Sequence, residues 1–201
     1  MRKIIKYLFR RLPIIGTYQR IKRCKLDGLN FFDYLKFRLL SKRGVVYWPK
    51  HKTNVVTNPQ NIKLGVNCKI GSHGCYIQGS GNLVIGSYVR IAVNVGILSS
   101  NHSLDNHSQK KSYTTMIGDY CWIGMNSVVL PGVELGPRTV VAAGSVVTSS
   151  FPDGFCAIGG NPARFLKKIN EDDFSPPTSA HEFVGYIPLD KFDEFKEKFL
   201  A

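Results

Sequence analysis

A chain of 201 residues buries about 70% of its unfolded surface when it folds, so a core can form without disulfides or a structural metal. The five cysteines, at 24, 68, 75, 121 and 156, are odd in number and form no CxxC pair, so they signal neither a disulfide framework nor a cysteine zinc site; a reduced, cytoplasmic protein fits. The formal net charge of +13 sits entirely in the first quarter: residues 1–52 hold 15 Lys/Arg against Asp27 and Asp33, whereas residues 53–201 hold 12 of each sign.

Residues 1–57 read as a basic, helical and extended region. Ile4, Ile5, Leu8, Phe9 and Leu12 fall on one helical face with Arg2, Lys3, Lys6, Arg10 and Arg11 largely on the other, and Pro13 is placed to stop that helix. The charges at Lys6, Arg10 and Arg11 interrupt every apolar run, which excludes a secretory signal or a membrane span here. Phe31, Phe32, Tyr34 and Phe37 predict a second helix before a strand-like stretch, GVVYWP. Such an end suits an anionic membrane leaflet, where each cation adds about 1 kcal/mol, or a neighbouring subunit. No RRM, KH or helix-turn-helix signature points to nucleic acid.

Residues 58–168 carry the dominant pattern. From 117 the chain divides into the hexads IGDYCW, IGMNSV, VLPGVE, LGPRTV, VAAGSV and VTSSFP, whose first residues, Ile117, Ile123, Val129, Leu135, Val141 and Val147, are all aliphatic. Second positions are mostly tiny (Gly118, Gly124, Gly136, Ala142). Fifth positions are small or β-branched (Cys121, Ser127, Val133, Thr139, Ser145) until Phe151. The frame continues upstream at Ile85, Ile91 and Ile97 and, more raggedly, at Leu64 and Ile70. A six-residue period fits neither a 3.6-residue helix nor an alternating strand. It suits short strands bent at regular corners, with the first residue inward, a tiny residue at the bend and a small fifth residue beside the next rung. Three hexads then close one triangular coil. An ordinary β-sandwich would have to match this frame six times by accident.

The pattern closely resembles the hexapeptide-repeat acyltransferases, and "AIGGNPARFLKKI" is similar to that family's exit from its column. The resemblance implies a mainly β fold, a left-handed parallel β-helix, with an N-terminal helical extension and a short C-terminal helix added here. The handedness rests on it alone, because left-handed crossovers are exceptional. It further implies acetyl-CoA as co-substrate and a homotrimer whose clefts lie between subunits.

The frame breaks twice. Between Ile70 and Ile85 the glycines of "YIQGSGNLV" relax it. From Ile97 to Ile117 is 20 residues, two more than three hexads, so residues 101–116 are expected to protrude as a loop, where chemistry tends to sit. The start of that loop, "NHSLD", resembles the "THPLD"-like stretch of sugar and xenobiotic O-acetyltransferases, which places His102 at the catalytic position. An imidazole there can take the proton of a sugar hydroxyl as it attacks a thioester. His102, His107 and a partner such as His73 also imitate the zinc triad of gamma-class carbonic anhydrases, which share the column; imidazole suits zinc. The polar surroundings of His107 and the residues downstream favour coenzyme A, with His107 a solvated loop residue or a substrate contact.

Downstream, Trp122 ends its hexad at an outward position, and the family's "WIG" match implies a ring lying along the acyl and pantetheine arm; a subunit contact is its other use. Gly124 would admit the pantetheine to the backbone. The Met125 amide matches the family's oxyanion donor, and such an amide is worth ~3 kcal/mol at a tetrahedral transition state. Ala142 and Ser145 continue the groove. Arg164, Lys167 and Lys168 would meet the nucleotide phosphates, or else form the solvated end of a helix. Two departures stand out: Ser149 where many relatives have lysine after "SVVT", and Ser72 nearest the family's acceptor-holding asparagine, with Asn94 a plain rung residue. Cys121 occupies an inward slot, which favours direct transfer over a covalent thiol route.

Residues 169–201 are acidic, with Phe192, Phe195 and Phe199 at helical spacing, and are expected to pack across the basic end or serve as a partner helix. The sequence therefore reads as an acetyl-CoA-dependent O-acetyltransferase acting on a sugar hydroxyl in bacterial surface polysaccharide synthesis. It is expected in the cytoplasm, peripheral to the inner membrane. The alternatives are a zinc hydratase or an acetyltransferase for an amino acid, an antibiotic or a nucleotide-linked amino sugar.

Overall fold

The computed structural model describes residues 13–40 and 44–200; the amphipathic helix expected over residues 2–12 lies outside them. Two helices open the described chain, α1 (Pro13–Arg23) and α2 (Phe31–Leu40). The second was expected. The first was not, although Ile14, Tyr18 and Ile21 share one face of it, Ile21 buried and the other two half-buried against the core.

Three parallel sheets form the faces of a column, the three-sided coil expected from the repeat and the left-handed β-helix implied by the family resemblance. The first contains β1 (Val55–Thr57), β3 (Tyr76–Gln78), β6 (Gly96–Ile97), β11 (Val128–Val129) and β14 (Val146–Val147). The second contains β2 (Ile62–Leu64), β4 (Asn82–Ile85), β9 (Thr114–Ile117) and β12 (Glu134–Leu135). The third contains β5 (Arg90–Ile91), β10 (Trp122–Ile123), β13 (Val140–Val141), β15 (Cys156–Gly160) and an antiparallel edge strand, β16 (Ala163–Lys168). The alternative weighed for Arg164, Lys167 and Lys168, the solvated end of a helix, is thus corrected: they lie on a strand.

The aliphatic frame is the core. Ile85, Ile91, Ile97, Ile117, Ile123, Val129, Leu135, Val141 and Val147 are all buried, and so are Cys121, Ser127, Val133, Thr139 and Ser145. Hydroxyls are tolerated inside because each finds a carbonyl at a bend: Ser127 Oγ donates to Ala142 O (2.9 Å) and Thr139 Oγ to Gly136 O (2.8 Å). A buried hydroxyl without such a partner costs about 1–3 kcal/mol. Phe151 is only half-buried, where the column ends.

Register shows how the coil length changes. Trp122 pairs with Val140 and Val128 with Val146, an 18-residue coil, whereas Ile85 pairs with Ile117 and Ile97 with Val129, a 32-residue coil. Ile97 and Ile117 therefore lie on adjacent faces. The 20 residues between them are not a full coil plus two; they are one short side that has taken in 14 extra residues. The excursion forms a hairpin, β7 (Ser100–His102) with β8 (Lys110–Ser112), and the chain is back in the column by Thr115, which is buried.

Residues 31–49 and the tail meet at the base of the column. GVVYWP forms no strand; Tyr47, Trp48 and Pro49 are buried in an irregular cover. The Tyr47 hydroxyl donates to Ile62 O (2.9 Å) and accepts from Leu64 N (3.0 Å), satisfying an open edge of β2. The tail returns down the column: Phe183 exchanges two hydrogen bonds with Asn67, forms the hairpin β17 (Phe183–Val184) and β18 (Ile187–Pro188), and leads to α3 (Phe192–Phe199). Phe195 stands 5.9 Å from Phe37 and 5.5 Å from Tyr47. The acidic tail thus packs on the basic end.

Candidate active site

The hairpin is held at its root. Gln78, one coil below, accepts from Ser99 N, Ser100 N and Ser100 Oγ through Oε1, while its backbone carbonyl accepts from Ser99 Oγ at 2.6 Å. Ser99, Ser100 and Ser103 are buried beneath the exposed His102. A rigid root under an exposed imidazole is what a positioned base needs.

His102 Nδ1 lies 2.5 Å from the carbonyl oxygen of His107. A carbonyl only accepts, so Nδ1 carries the hydrogen, and in the neutral ring Nε2 keeps its lone pair. The second histidine therefore acts through its backbone, a role that no inspection of side chains would find. Its imidazole is exposed. The His73 ring lies against His51, with centroids 5.7 Å apart, and no three His, Cys, Asp or Glu side chains gather to hold a metal among the described residues.

Trp122 projects outward from β10 and is 56% exposed. In register it stands between Arg90 and Val140, and the same outward row continues through Ala157 to Lys167. Lys167 is thus about 14 Å from Trp122, three strand spacings. Beside Trp122 opens a cleft of about 480 Å³ walled by Tyr88, Tyr120, Arg138 and, from the tail, Phe174. The Tyr88 and Tyr120 rings stack at 5.3 Å and 8°, and the Arg138 guanidinium sits 4.1 Å over the Phe174 ring. Arg138 Nε is buried with no hydrogen-bond partner among the described residues. Among the described residues no carboxylate lines the cleft, and neighbouring Lys69 has its ammonium pKa pushed down, by burial first and by Arg90 second. The cleft is electropositive and aromatic.

Arg90, Arg138 and Phe174 were missed in the sequence. A signal existed for one of them: Tyr88, Tyr120 and Arg138 are fourth residues of their hexads, and all three adopt left-handed backbone (φ 58°, 59° and 58°) at one corner, a conformation costing about 1–2 kcal/mol for an L-residue. Their side chains are thereby stacked in line.

The remaining expected residues divide. Met125 is exposed at a turn, and its N–H donates to no described group. Ala142 is exposed on the coil above. Arg164, Lys167 and Lys168 are exposed on β16. Gly124 is explained by packing: a Cβ there would fall 2.6 Å from Ala143 N, and its own N–H is spent on Val141 O. Ser145 is corrected to core, since it is fully buried with Oγ donating to Ala142 O at 2.6 Å. Asn94 is a rung residue, its amide donating to Asn126 Oδ1. His102 and Met125 are not brought to one corner. The hairpin leaves between the first and second sheets, whereas Met125 turns the chain from the third sheet into the first.

Cys121 is buried, donates to Gly136 O and has its thiol pushed up to about 12 by burial. We expect no alkylation of Cys121 by iodoacetamide at pH 8 in the native protein, read by peptide mass after quenching, and near-wild-type turnover for Cys121→Ser. Rapid native labelling would contradict its placement in the core.

A family model described as bacterial transferase hexapeptide (six repeats) matches residues 114–149. A Schizosaccharomyces pombe protein named as an acetyltransferase is 32% identical over 156 residues, covering 73% of this chain and 75% of that protein. The chain spans less than two thirds of the length of other curated relatives, 59% and 57% of two of them. Among solved structures, a maltose O-acetyltransferase from Clostridium difficile 630 superposes with a TM-score of 0.61 at 26% identity, covering 81% of this chain and 91% of that one. A hexapeptide-repeat acetyltransferase from Vibrio cholerae, complexed with acetyl coenzyme A, has a TM-score of 0.58 at 24% identity, covering 81% and 92%.

Proposed function

The chain belongs to the hexapeptide-repeat acetyltransferase family, and from that premise we propose that it moves an acetyl group from acetyl-CoA to a sugar hydroxyl, in a bacterial surface polysaccharide or its precursor. The observation that carries this reading is the short contact from His102 Nδ1 to the His107 carbonyl, which leaves Nε2 as an open proton acceptor on an exposed hairpin. In the proposed step the acceptor oxygen attacks the thioester carbonyl carbon as Nε2 takes the hydroxyl proton. The oxyanion forms against the Met125 N–H. When the C–S bond breaks, the thiolate recovers that proton from the imidazolium, giving an ester and free coenzyme A.

Support for the donor comes from the outward row of the third sheet, where Trp122, Val140 and Ala157 form an apolar strip with Arg90 at one end and Lys167 at the other. An acyl-pantetheine arm joined to phosphates has the same apolar-then-anionic order. The Vibrio cholerae neighbour holds acetyl coenzyme A, and the Clostridium difficile neighbour is named for maltose. Because base and amide project from opposite edges of one sheet, a homotrimer, in which the hairpin of one copy faces the Trp122 side of the next, completes the site.

The test is free thiol release from acetyl-CoA against a panel of neutral and acidic saccharides, amino acids, antibiotics and nucleotide-linked amino sugars. Release that depends on a saccharide hydroxyl is expected. Release with amine acceptors alone would replace the proposed acceptor class. Zinc-dependent CO₂ hydration without thiol release would overturn the acetyl-transfer reading altogether.

A further inference from the structure

A second feature lies away from the hairpin and the Trp122 cleft, at the base of the column. There α2, the irregular cover over 44–52 and the tail enclose a cavity of about 750 Å³. Its floor is apolar, made by Phe37, Leu40, Val46, Trp48 and Tyr186. Trp48 is almost fully buried, yet its Nε1–H has no hydrogen-bond partner among the described residues. Among the described residues three ammonium groups, Lys36, Lys50 and Lys52, stand on the walls against one carboxylate, Asp33.

The cavity opens onto an unusual helix face. On α2, Tyr34 and Phe37 point into the protein, while Phe32, Leu39 and Leu40 are 77%, 68% and 61% exposed. Positions seven and eight apart share one side of a helix, and Lys36 falls between them. Leu40 belongs to both the stripe and the cavity wall. Bulky apolar side chains facing outward beside lysines, in a region with 15 Lys/Arg and two Asp, match an anionic lipid surface. No described helix is long and apolar enough to cross a membrane, so such contact would be from one side.

We propose that the base of the column is a docking site for anionic membrane lipid. The α2 stripe enters the headgroup layer, Lys36, Lys50 and Lys52 meet lipid phosphates, and one hydrocarbon chain enters the cavity over Trp48. The proposal is independent of the acetyl transfer.

Flotation of the full chain at low salt, with vesicles of phosphatidylcholine alone or containing about one third phosphatidylglycerol, tests it. Binding only to the anionic vesicles is expected, falling on the order of 100-fold in a Lys36→Gln, Lys50→Gln, Lys52→Gln variant and at least ~10-fold in Leu39→Glu, Leu40→Glu. Trp122→Phe leaves Trp48 as the sole tryptophan, and lipids brominated midway along the chain are expected to quench its fluorescence. No vesicle binding overturns the proposal. So does binding that survives the lysine replacements, which would assign it to the unchanged residues 1–12, or binding without quenching, which would leave the cavity unused. A shift in oligomeric state with Leu39→Glu, Leu40→Glu at unchanged vesicle binding would show a second copy covering the stripe instead.

Discussion

Replacing His102 by alanine is expected to lower kcat about 10²–10⁴-fold, with KM for acetyl-CoA and thermal stability close to wild type. The reason is geometric. His102 is exposed on a hairpin whose root is fastened by Gln78 below it, so truncation removes one hydrogen bond and a proton acceptor without opening the core. His107→Ala provides the contrast. The proposed base is held through the His107 carbonyl, which alanine retains, so turnover within about twofold of wild type is expected. If His107→Ala lost activity and His102→Ala kept it, the assignment of base and support would be reversed.

The largest stability effect is expected from Gly136→Ala, at about 3 kcal/mol or more, read as a fall in urea midpoint. A Cβ at Gly136 would fall 2.0 Å from Pro152 O and 2.5 Å from Gly154 N, both backbone atoms of the next coil. Neither is the end of a side chain that can swing away, so the coils must separate or the turn must shift. Gly144→Ala is the control. Gly144 has φ +71° but nothing within 4 Å of the added carbon, so only the left-handed backbone penalty of about 1–2 kcal/mol applies. Equal losses at the two positions would mean that coil spacing, and not backbone conformation, fails to set the requirement for glycine at the bend.

The column was legible because its rule is local. A six-residue period turns the chain through one corner at a time, and each aliphatic first residue meets its own interior whatever lies far away in sequence; Ile123 and Val141 could be placed inside without knowing their neighbours. Glycine at Gly136 was legible for the same reason. Ser145 shows the limit of borrowing from resemblance: its fifth-position slot already marked it as inward, and burial with Oγ on Ala142 O bears out the slot over the groove.

Contacts between coils were a different matter, because they depend on how many residues each turn consumes. Tyr88 meets Tyr120 across a coil lengthened by 14 residues, and counting hexads from Ile97 to Ile117 misjudged that very turn. The amino-acid sequence alone determined the three-sided column, the inward residues and the place where the frame breaks, since all of these follow from short-range backbone geometry and apolar burial. Only the tertiary structure decided that the His107 carbonyl orients His102, that Arg90, Arg138 and Phe174 wall the Trp122 cleft, and that the tail returns to Asn67 and Phe37 to close the base. Those pairings join residues whose separation carries no periodic signal, and the free energy of packing them exists only once the chain has folded back on itself.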